Sequence, residues 1–377
     1  MTLRRKICFA LPSLAGGGAE RAAVQILNAL DDDRWERWLY LFTREGPYLA
    51  DVASLVQIAD ASGDSRVGRW RKLRRFIRAV RPDLVVPFLS YFSVLSAVRA
   101  AGVGARVVFN QQTPMSAFLD DGDYRWRRPW ERRAFAAVTR AGYAAADLIV
   151  TTSRGVADDL TASFGVRSDR IRVVHNPVDL RAIAAAVEEP LPPPHAAVWT
   201  HPVIVAAGRL AEAKGYPLMI ESLAVLRQRI PARLCILGEG EQEPLLRELA
   251  AARGLTGAVK FFGFQANPWK YIARADVFVL TSRYEGFGNV LVEAMACGVP
   301  VVATSSSGTR EILSAGEDGL IVERHEPGAV AEALERILGD AALRRRMSEA
   351  ARRHADRFAV ASIAAAYERV FAEALQP

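Results

Sequence analysis

Short apolar runs recur along the chain, and between them lie segments whose apolar positions return every three or four residues. Runs this short, rich in Val, Ile, Leu and Phe, read as buried strands. The intervening pattern reads as amphipathic helix. In the first half, strands are predicted at 7–11, 39–42, 84–88, 107–110, 148–151 and 171–174, with helices at 19–30, 72–80, 132–144 and 156–164. A second series places strands at 203–207, 234–237, 259–262, 277–280, 301–303 and 320–322. Helices at 216–229, 242–253 and 289–297 fill its gaps, helices at 329–338 and 342–358 close it, and a last one at 360–375 can fold back on the first half. Strand–helix alternation of this kind predicts parallel sheets covered on both faces, hence an α/β fold of two doubly wound domains. The stretch Glu188-Glu189-Pro190-Leu191-Pro192-Pro193-Pro194-His195 interrupts the pattern and reads as a linker. The expected division is a first domain at 1–187, a linker at 188–201, a second domain at 202–358 and a C-terminal helix at 359–377 packed on the first domain.

Candidate chemistry gathers where predicted strands run out. After the strand at 277–280 the chain reads Ser282-Arg283-Tyr284-Glu285-Gly286-Phe287-Gly288-Asn289-Val290, and the helix that follows carries Glu293. Glycines let backbone approach a ligand closely, and the first amides of a helix form a phosphate site. Two carboxylates beside such a cradle can accept sugar hydroxyls. Gly208-Arg209-Leu210 and Lys214-Gly215 follow the strand at 203–207. A guanidinium that grips two oxygens and an ammonium nearby suit a diphosphate. Gly16-Gly17-Gly18 follows the first strand and opens a helix. It fits a dinucleotide fingerprint poorly, because Arg21 stands where the last glycine belongs.

The Glu285–Glu293 spacing, with Gly-Phe-Gly-Asn between, resembles the signature of retaining GT-B glycosyltransferases of family 4. The resemblance covers nearly the whole chain and implies two Rossmann-like domains facing across a cleft, the first meeting the acceptor and the second a nucleotide-sugar. It implies that Arg209 and Lys214 hold the leaving diphosphate, Glu285 the donor sugar and Glu293 the ribose hydroxyls. Gly16, Gly17, Gly18, Gly208, Gly286, Phe287, Gly288, Asn289 and Val290 would line the donor, and Phe264 lies on the loop that meets the base. Ser307-Gly308-Thr309-Arg310-Glu311-Ile312 and His175-Asn176-Pro177-Val178-Asp179 are similar to two further family turns. One departure stands out. Where many members carry a sugar-contacting His, this chain reads Asn110-Gln111-Gln112, amides that can bond hydroxyls but cannot titrate near neutral pH. The expected reaction is metal-independent, cofactor-free transfer of a hexose or N-acetylhexosamine from a UDP-sugar to a lipid-linked or glycan acceptor in cell-surface polysaccharide assembly. An inactive sugar-nucleotide-binding module and a basic nucleic-acid-associated α/β protein are the competing readings.

Composition and charge narrow this. The 377 residues are 51% hydrophobic and 24% charged, ordinary for a globular protein. Cys8, Cys235 and Cys297 form no C-x-x-C or Cys/His cluster, which excludes a zinc-finger framework and fits a reducing compartment. Asp31-Asp32-Asp33 and Asp120-Asp121-Gly122-Asp123 read as solvated turns, and the five histidines lack ligand spacing, so no metal is expected. The N-terminal apolar run breaks at Pro12 and Gly16 and reads as a strand, not a leader; no run approaches the ~20 residues of a membrane span. Net charge is +7, crowded into Arg66, Arg69, Arg71, Lys72, Arg74, Arg75, Arg78 and Arg81, and into Arg125, Arg127, Arg128, Arg132 and Arg133 among Tyr124, Trp126 and Trp130. The expected partner of these segments is an anionic membrane surface, not nucleic acid, giving a cytoplasmic protein peripheral on the inner face of the cell membrane. Written as a helix, 70–80 sets Trp70, Leu73, Phe76, Ile77 and Val80 on one face, to lie in a headgroup layer or to pack on the first sheet.

Overall fold

The computed structural model describes residues 4–89, 91–120, 129–200 and 202–376. The basic aromatic cluster at 124–128 and the acidic turn at 121–123 lie outside them. The chain divides into two compact units, the first made of Met1–Asp120, Tyr124–Val178 and Val360–Pro377, the second mainly of Asp179–Ala359.

The first unit runs β1 (Arg5–Leu11), α1 (Gly18–Ala29), β2 (Trp35–Leu41), β3 (Gln57–Asp60), α2 (Arg66–Val80), β4 (Leu84–Pro87), α3 (Tyr91–Ala101), β5 (Arg106–Gln111), α4 (Met115–Asp120), α5 (Pro129–Ala145), β6 (Leu148–Thr151), α6 (Arg154–Phe164) and β7 (Ile171–Val173). Its seven strands form one parallel sheet in the order β3-β2-β1-β4-β5-β6-β7. Alternation along β1 explains both cores. Ile7, Phe9 and Leu11 meet α1 and the C-terminal helix, while Cys8 and Ala10 join the core shared with α2, α3, α5 and α6. On α2, Leu73 and Ile77 are fully buried, and Phe76 packs on Trp38 and Tyr40. Each such aliphatic side chain removed from water contributes about 1.5–3 kcal/mol. The apolar face of α2 is therefore spent on the sheet. It does not lie in a headgroup layer, and what faces outward is mainly basic, Arg66, Arg71, Lys72, Arg75 and Arg78, with Val67 exposed beside them.

The second unit runs α7 (Leu180–Ala186), α8 (Pro193–Ala196), β8 (Val203–Ala207), α9 (Tyr216–Leu226), β9 (Arg233–Leu237), α10 (Glu243–Ala252), β10 (Val259–Phe261), α11 (Trp269–Ile272), β11 (Val277–Leu280), α12 (Asn289–Ala296), β12 (Val301–Thr304), α13 (Ser307–Ile312), β13 (Gly319–Val322), α14 (Pro327–Gly339) and α15 (Ala341–Ala355). The sheet is parallel, in the order β10-β9-β8-β11-β12-β13. The last helix, α16 (Val360–Ala374), packs with the first unit through Tyr367 and Phe371.

The proline-dense segment is not a free tether. His195 Nδ1 lies 2.8 Å from the Tyr271 hydroxyl, its ring sits 4.3 Å from that of Phe262, and Trp199 Nε1 donates to Arg274 O at 2.8 Å. The division falls earlier, between Val178 and Asp179, and the Asp179 carboxylate accepts from Arg181 N and Ala182 N to start α7. Among the described residues, no helix is long and apolar enough to cross a membrane.

Candidate functional site

In an open doubly wound sheet, ligands bind beyond the carboxyl ends of the strands where the strand order reverses. In the second unit that point lies between β8 and β11. The two loops leaving these strands carry every second-unit charge that the sequence offers as catalytic.

The loop after β8 is held on two sides. Gly208 N donates to Leu237 O at 3.0 Å, Leu210 N to Glu239 O at 2.9 Å, and the Tyr216 hydroxyl to Gly208 O at 3.0 Å. Burial, with a smaller push from Glu285, raises the Tyr216 phenol, so it stays a donor. The neighbouring loop can come this near only because Gly238 has φ +131 and no side chain; a Cβ there would stand 2.1 Å from Gly208 O. Arg209 projects from this clamped turn and is exposed. The chain then makes a single 3-10 turn over Glu212–Lys214 and passes through Gly215 at φ +63, where a Cβ would lie 2.1 Å from Thr281 O. Thr281 Oγ1 donates to Gly215 O at 2.9 Å, and Arg283 N to Ala213 O at 2.8 Å, so the loops after β8 and β11 are joined backbone to backbone.

Lys214 passes over Gly208 and puts Nζ 2.6 Å from Glu285 Oε1. Ser282 Oγ donates to the same oxygen at 2.6 Å. Glu285 is only 8% exposed, so its charge needs these partners. Gly286, Phe287 and Gly288 continue as a buried turn, with Phe287 set edge-on against Phe358 at 5.3 Å. Gly288 is the N-cap of α12 and supplies no side-chain bond to the helix's first amides, which belong to half-buried Asn289 and Val290. One turn on, Glu293 is 7% exposed and its Oε2 accepts from Trp269 Nε1 at 2.9 Å. Glu311 lies on α13, whose start is fixed by a capping box between Ser306 and Thr309.

Phe264, beyond β10, is not core: it is 55% exposed, and its N–H donates to Glu239 Oε1 at 3.1 Å. Ser282, Glu239, Tyr216 and Trp269 receive no role in the sequence reading, although each bonds directly to a residue or loop that it picks out. The glycine–acid–glycine stretch Gly238-Glu239-Gly240 after β9 is the one signal that could have been followed.

In the first unit, Gly16, Gly17 and Gly18 connect β1 to α1, with Gly17 as an N-cap that makes no side-chain bond. Tyr48 Oη donates to Gly16 O at 3.3 Å and accepts from Arg21 Nε at 3.1 Å. Glu20 folds over Gly17, and burial raises its carboxyl above the usual range. Asn110, Gln111 and Gln112 are all buried, and their amides have partners inside the unit. Asn110 Nδ2 donates to the Tyr367 hydroxyl at 2.6 Å, Tyr143 donates to Gln111 Oε1 at 2.8 Å, Gln111 Nε2 to Thr113 O at 2.7 Å, and Asn176 Nδ2 to Gln112 Oε1 at 2.8 Å. Gln112 Nε2 also donates to Asn110 Oδ1. This network ties β5 to α16 and differs from the expectation of amides presented to a sugar. The three thiols are buried, and burial pushes each up to about 12.

Residues 188–354 match the family described as "Glycosyl transferases group 1", and residues 16–182 match "Glycosyltransferase Family 4". The lipopolysaccharide core biosynthesis glycosyltransferase LpsE of Rhizobium meliloti (strain 1021) is 30% identical over 339 residues, covering 88% of this chain and 89% of the relative. The N-acetylgalactosamine-N,N'-diacetylbacillosaminyl-diphospho-undecaprenol 4-alpha-N-acetylgalactosaminyltransferase of Campylobacter jejuni is 33% identical over 223 residues, 59% of each protein. Among solved structures, Anabaena HepE in complex with UDP-glucose superposes with a TM-score of 0.81 at 22% identity, over 98% of this chain and 99% of that one, which bears on the fold.

Proposed function

The chain belongs to glycosyltransferase family 4, with the GT-B fold of two Rossmann-like domains, and from that premise we propose that it moves a hexose or N-acetylhexosamine, with retention, from a UDP-sugar to a lipid-linked or glycan acceptor. The observation that carries this reading is the joined loop pair at the β8/β11 switch point, where Arg209, Lys214, Glu285 and the start of α12 come from one compact unit. UDP-glucose bound to HepE supports the donor, and the diphospho-undecaprenol acceptor of the Campylobacter relative supports a lipid-linked acceptor. The Rhizobium relative supports a role in lipopolysaccharide or related glycan assembly.

In this reading a bound diphosphate competes with Glu285 for Lys214 and draws Arg209 onto its oxygens. As the bond from the anomeric carbon to the phosphate oxygen breaks, the electron pair goes to the diphosphate, and both cations stabilise it. The acceptor hydroxyl forms its bond on the face that the phosphate leaves, and a phosphate oxygen takes its proton. Glu285, released by Lys214, accepts from donor-sugar hydroxyls, and Glu293, oriented by Trp269, accepts from the ribose. We take the two cations to do the work a metal would do, and the outward arginines of α2 to hold the protein reversibly at the cytoplasmic membrane surface. The test is transfer from a panel of UDP-sugars to a lipid extract in EDTA, followed by NMR assignment of the new linkage. An α-linked product from an α-linked donor is expected. A β-linked product, or a strict need for magnesium or manganese, contradicts the proposal.

A further inference from the structure

The first unit contains a cavity of about 480 Å³ that the donor chemistry does not use. Pro12 and Ser13, just past β1, and Phe42, Thr43 and Glu45, past β2, form its floor at the carboxyl edge of the sheet. Arg66, Arg69 and Trp70, from the first turns of α2, form one wall. Three features say what it holds.

Arg66 is exposed and has no ion-pair or hydrogen-bond partner among the described residues. Arg69 uses Nε on Asp64 O at 3.1 Å, and its terminal nitrogens remain; the Asp64 carboxylate itself is taken by Lys72 at 2.6 Å. Two guanidiniums thus face the cavity against one carboxylate, that of Glu45. Their position also breaks a local rule. The first turn of a helix favours acids because its free amides carry partial positive charge, yet the first turn of α2 holds no acid and both arginines. Local conflicts of this kind gather at functional or strained sites. The rest of the lining is the kind that holds a saccharide: hydroxyls of Ser13 and Thr43, the Glu45 carboxylate, and the half-buried Trp70 ring, fixed by its Nε1 donating to Ser96 Oγ at 2.9 Å.

We propose that this cavity is a binding site for a sugar bearing an oxyanion, a phosphate or a carboxylate, and that it receives such a unit of the acceptor. Arg66 and Arg69 take the anion through paired N–H groups, the geometry at which a guanidinium fork excels. Glu45, Ser13 and Thr43 take the hydroxyls, and Trp70 covers the apolar face of the ring. The role as an acceptor site rests on the glycosyltransferase reading; the binding itself does not.

The test is titration calorimetry of the full chain at fixed ionic strength with glucose, glucose 1-phosphate, glucose 6-phosphate, glucuronate and inorganic phosphate. Glucose 1-phosphate carries its anion at the anomeric carbon, as a lipid-diphosphate-linked sugar does, whereas the next two carry it on the sugar itself. At least one anionic sugar is expected to bind about ten-fold or more tightly than glucose, and R66Q/R69Q to abolish that preference. R71Q/R75Q removes the same charge from the exposed side of α2 and should keep the preference. Equal affinity for glucose and every anionic sugar overturns the inference. So does equal loss in both double variants, which marks bulk charge, and so does inorganic phosphate binding as tightly as the best sugar anion. UDP affinity is read in the same samples, so failure of the donor reading appears as absent UDP binding and failure of this inference as absent discrimination among sugars.

Discussion

Lys214 and Glu285 meet in a setting where the lysine side chain is 29% exposed and the carboxylate 10%. Removing one partner of such a pair costs more than the pair is worth, because a buried charge is left behind. Lys214→Ala is therefore expected to lower stability by about 1–3 kcal/mol and turnover by about 10²–10³. Adding Glu285→Gln removes the stranded charge and should restore the melting temperature without restoring turnover. Recovery of both would make the contact structural only. Trp269→Phe keeps a ring in place but takes away the N–H that holds Glu293. UDP affinity measured by titration should fall about ten- to 150-fold, the worth of one hydrogen bond to a charged group, with kcat at saturating donor little changed. An unchanged Kd would mean that Glu293 needs no such support. The two carboxylates and two cations are legible in sequence because glycines and a helix start frame them. Trp269, Ser282 and Tyr216 are not, because what marks them is a bonding partner in space. Asn110, Gln111 and Gln112 are legible as polar residues at a strand end, but chain order cannot reveal that Tyr367, far along the sequence, is the partner of Asn110.

At the scale of elements, the site depends on two loops being closed on one another. Gly215→Ala forces a Cβ to within 2.1 Å of Thr281 O at a backbone angle that L residues rarely adopt. The expected cost is about 1–3 kcal/mol, read as a lower denaturant midpoint, with weaker UDP binding as the loops part. Gly257→Ala, which meets nothing within 4 Å, is the control; equal effects would deny the loop closure any special role. The central strands were readable because both of their faces are buried, and β6, β8 and β11 match their predicted ends. The edge strand β3 was missed, since Gln57 is exposed and the other three residues are only half-buried, leaving no apolar run. The short helices α7 and α13 escaped for another reason. They start from caps, Asp179 and the Ser306–Thr309 box, and are too brief to show a period. The start of α2 at Arg66 is hidden likewise, because nothing in its first turn is buried, Val67 included, and only Leu73 and Ile77 are.

For the whole molecule, the +7 charge is a statement about surroundings more than about fold. With its apolar face on the sheet, α2 offers a membrane mainly cations, with Val67 exposed in its first turn. Each is worth about 1 kcal/mol near an anionic surface, so attachment should be reversible and salt-sensitive. Co-sedimentation with anionic vesicles at low salt is expected, lost in high salt and in the Arg71→Glu/Arg75→Glu variant; wild-type protein left in the supernatant at low salt would argue for a soluble acceptor. The two-unit α/β architecture was open to sequence because strand–helix alternation repeats twice, whereas the boundary was not. The proline-dense stretch advertises a linker, but His195 and Trp199 bind it to the second unit. The account as a whole turns on whether the cations of the β8 loop grip a diphosphate. The direct measurement is calorimetric titration of UDP, in EDTA, into the wild-type chain and into the Arg209→Ala and Lys214→Ala variants, each checked for its melting transition. The account predicts a single UDP site in the wild type and a Kd raised about ten-fold or more in each folded variant; UDP bound by both variants as tightly as by the wild type would contradict it.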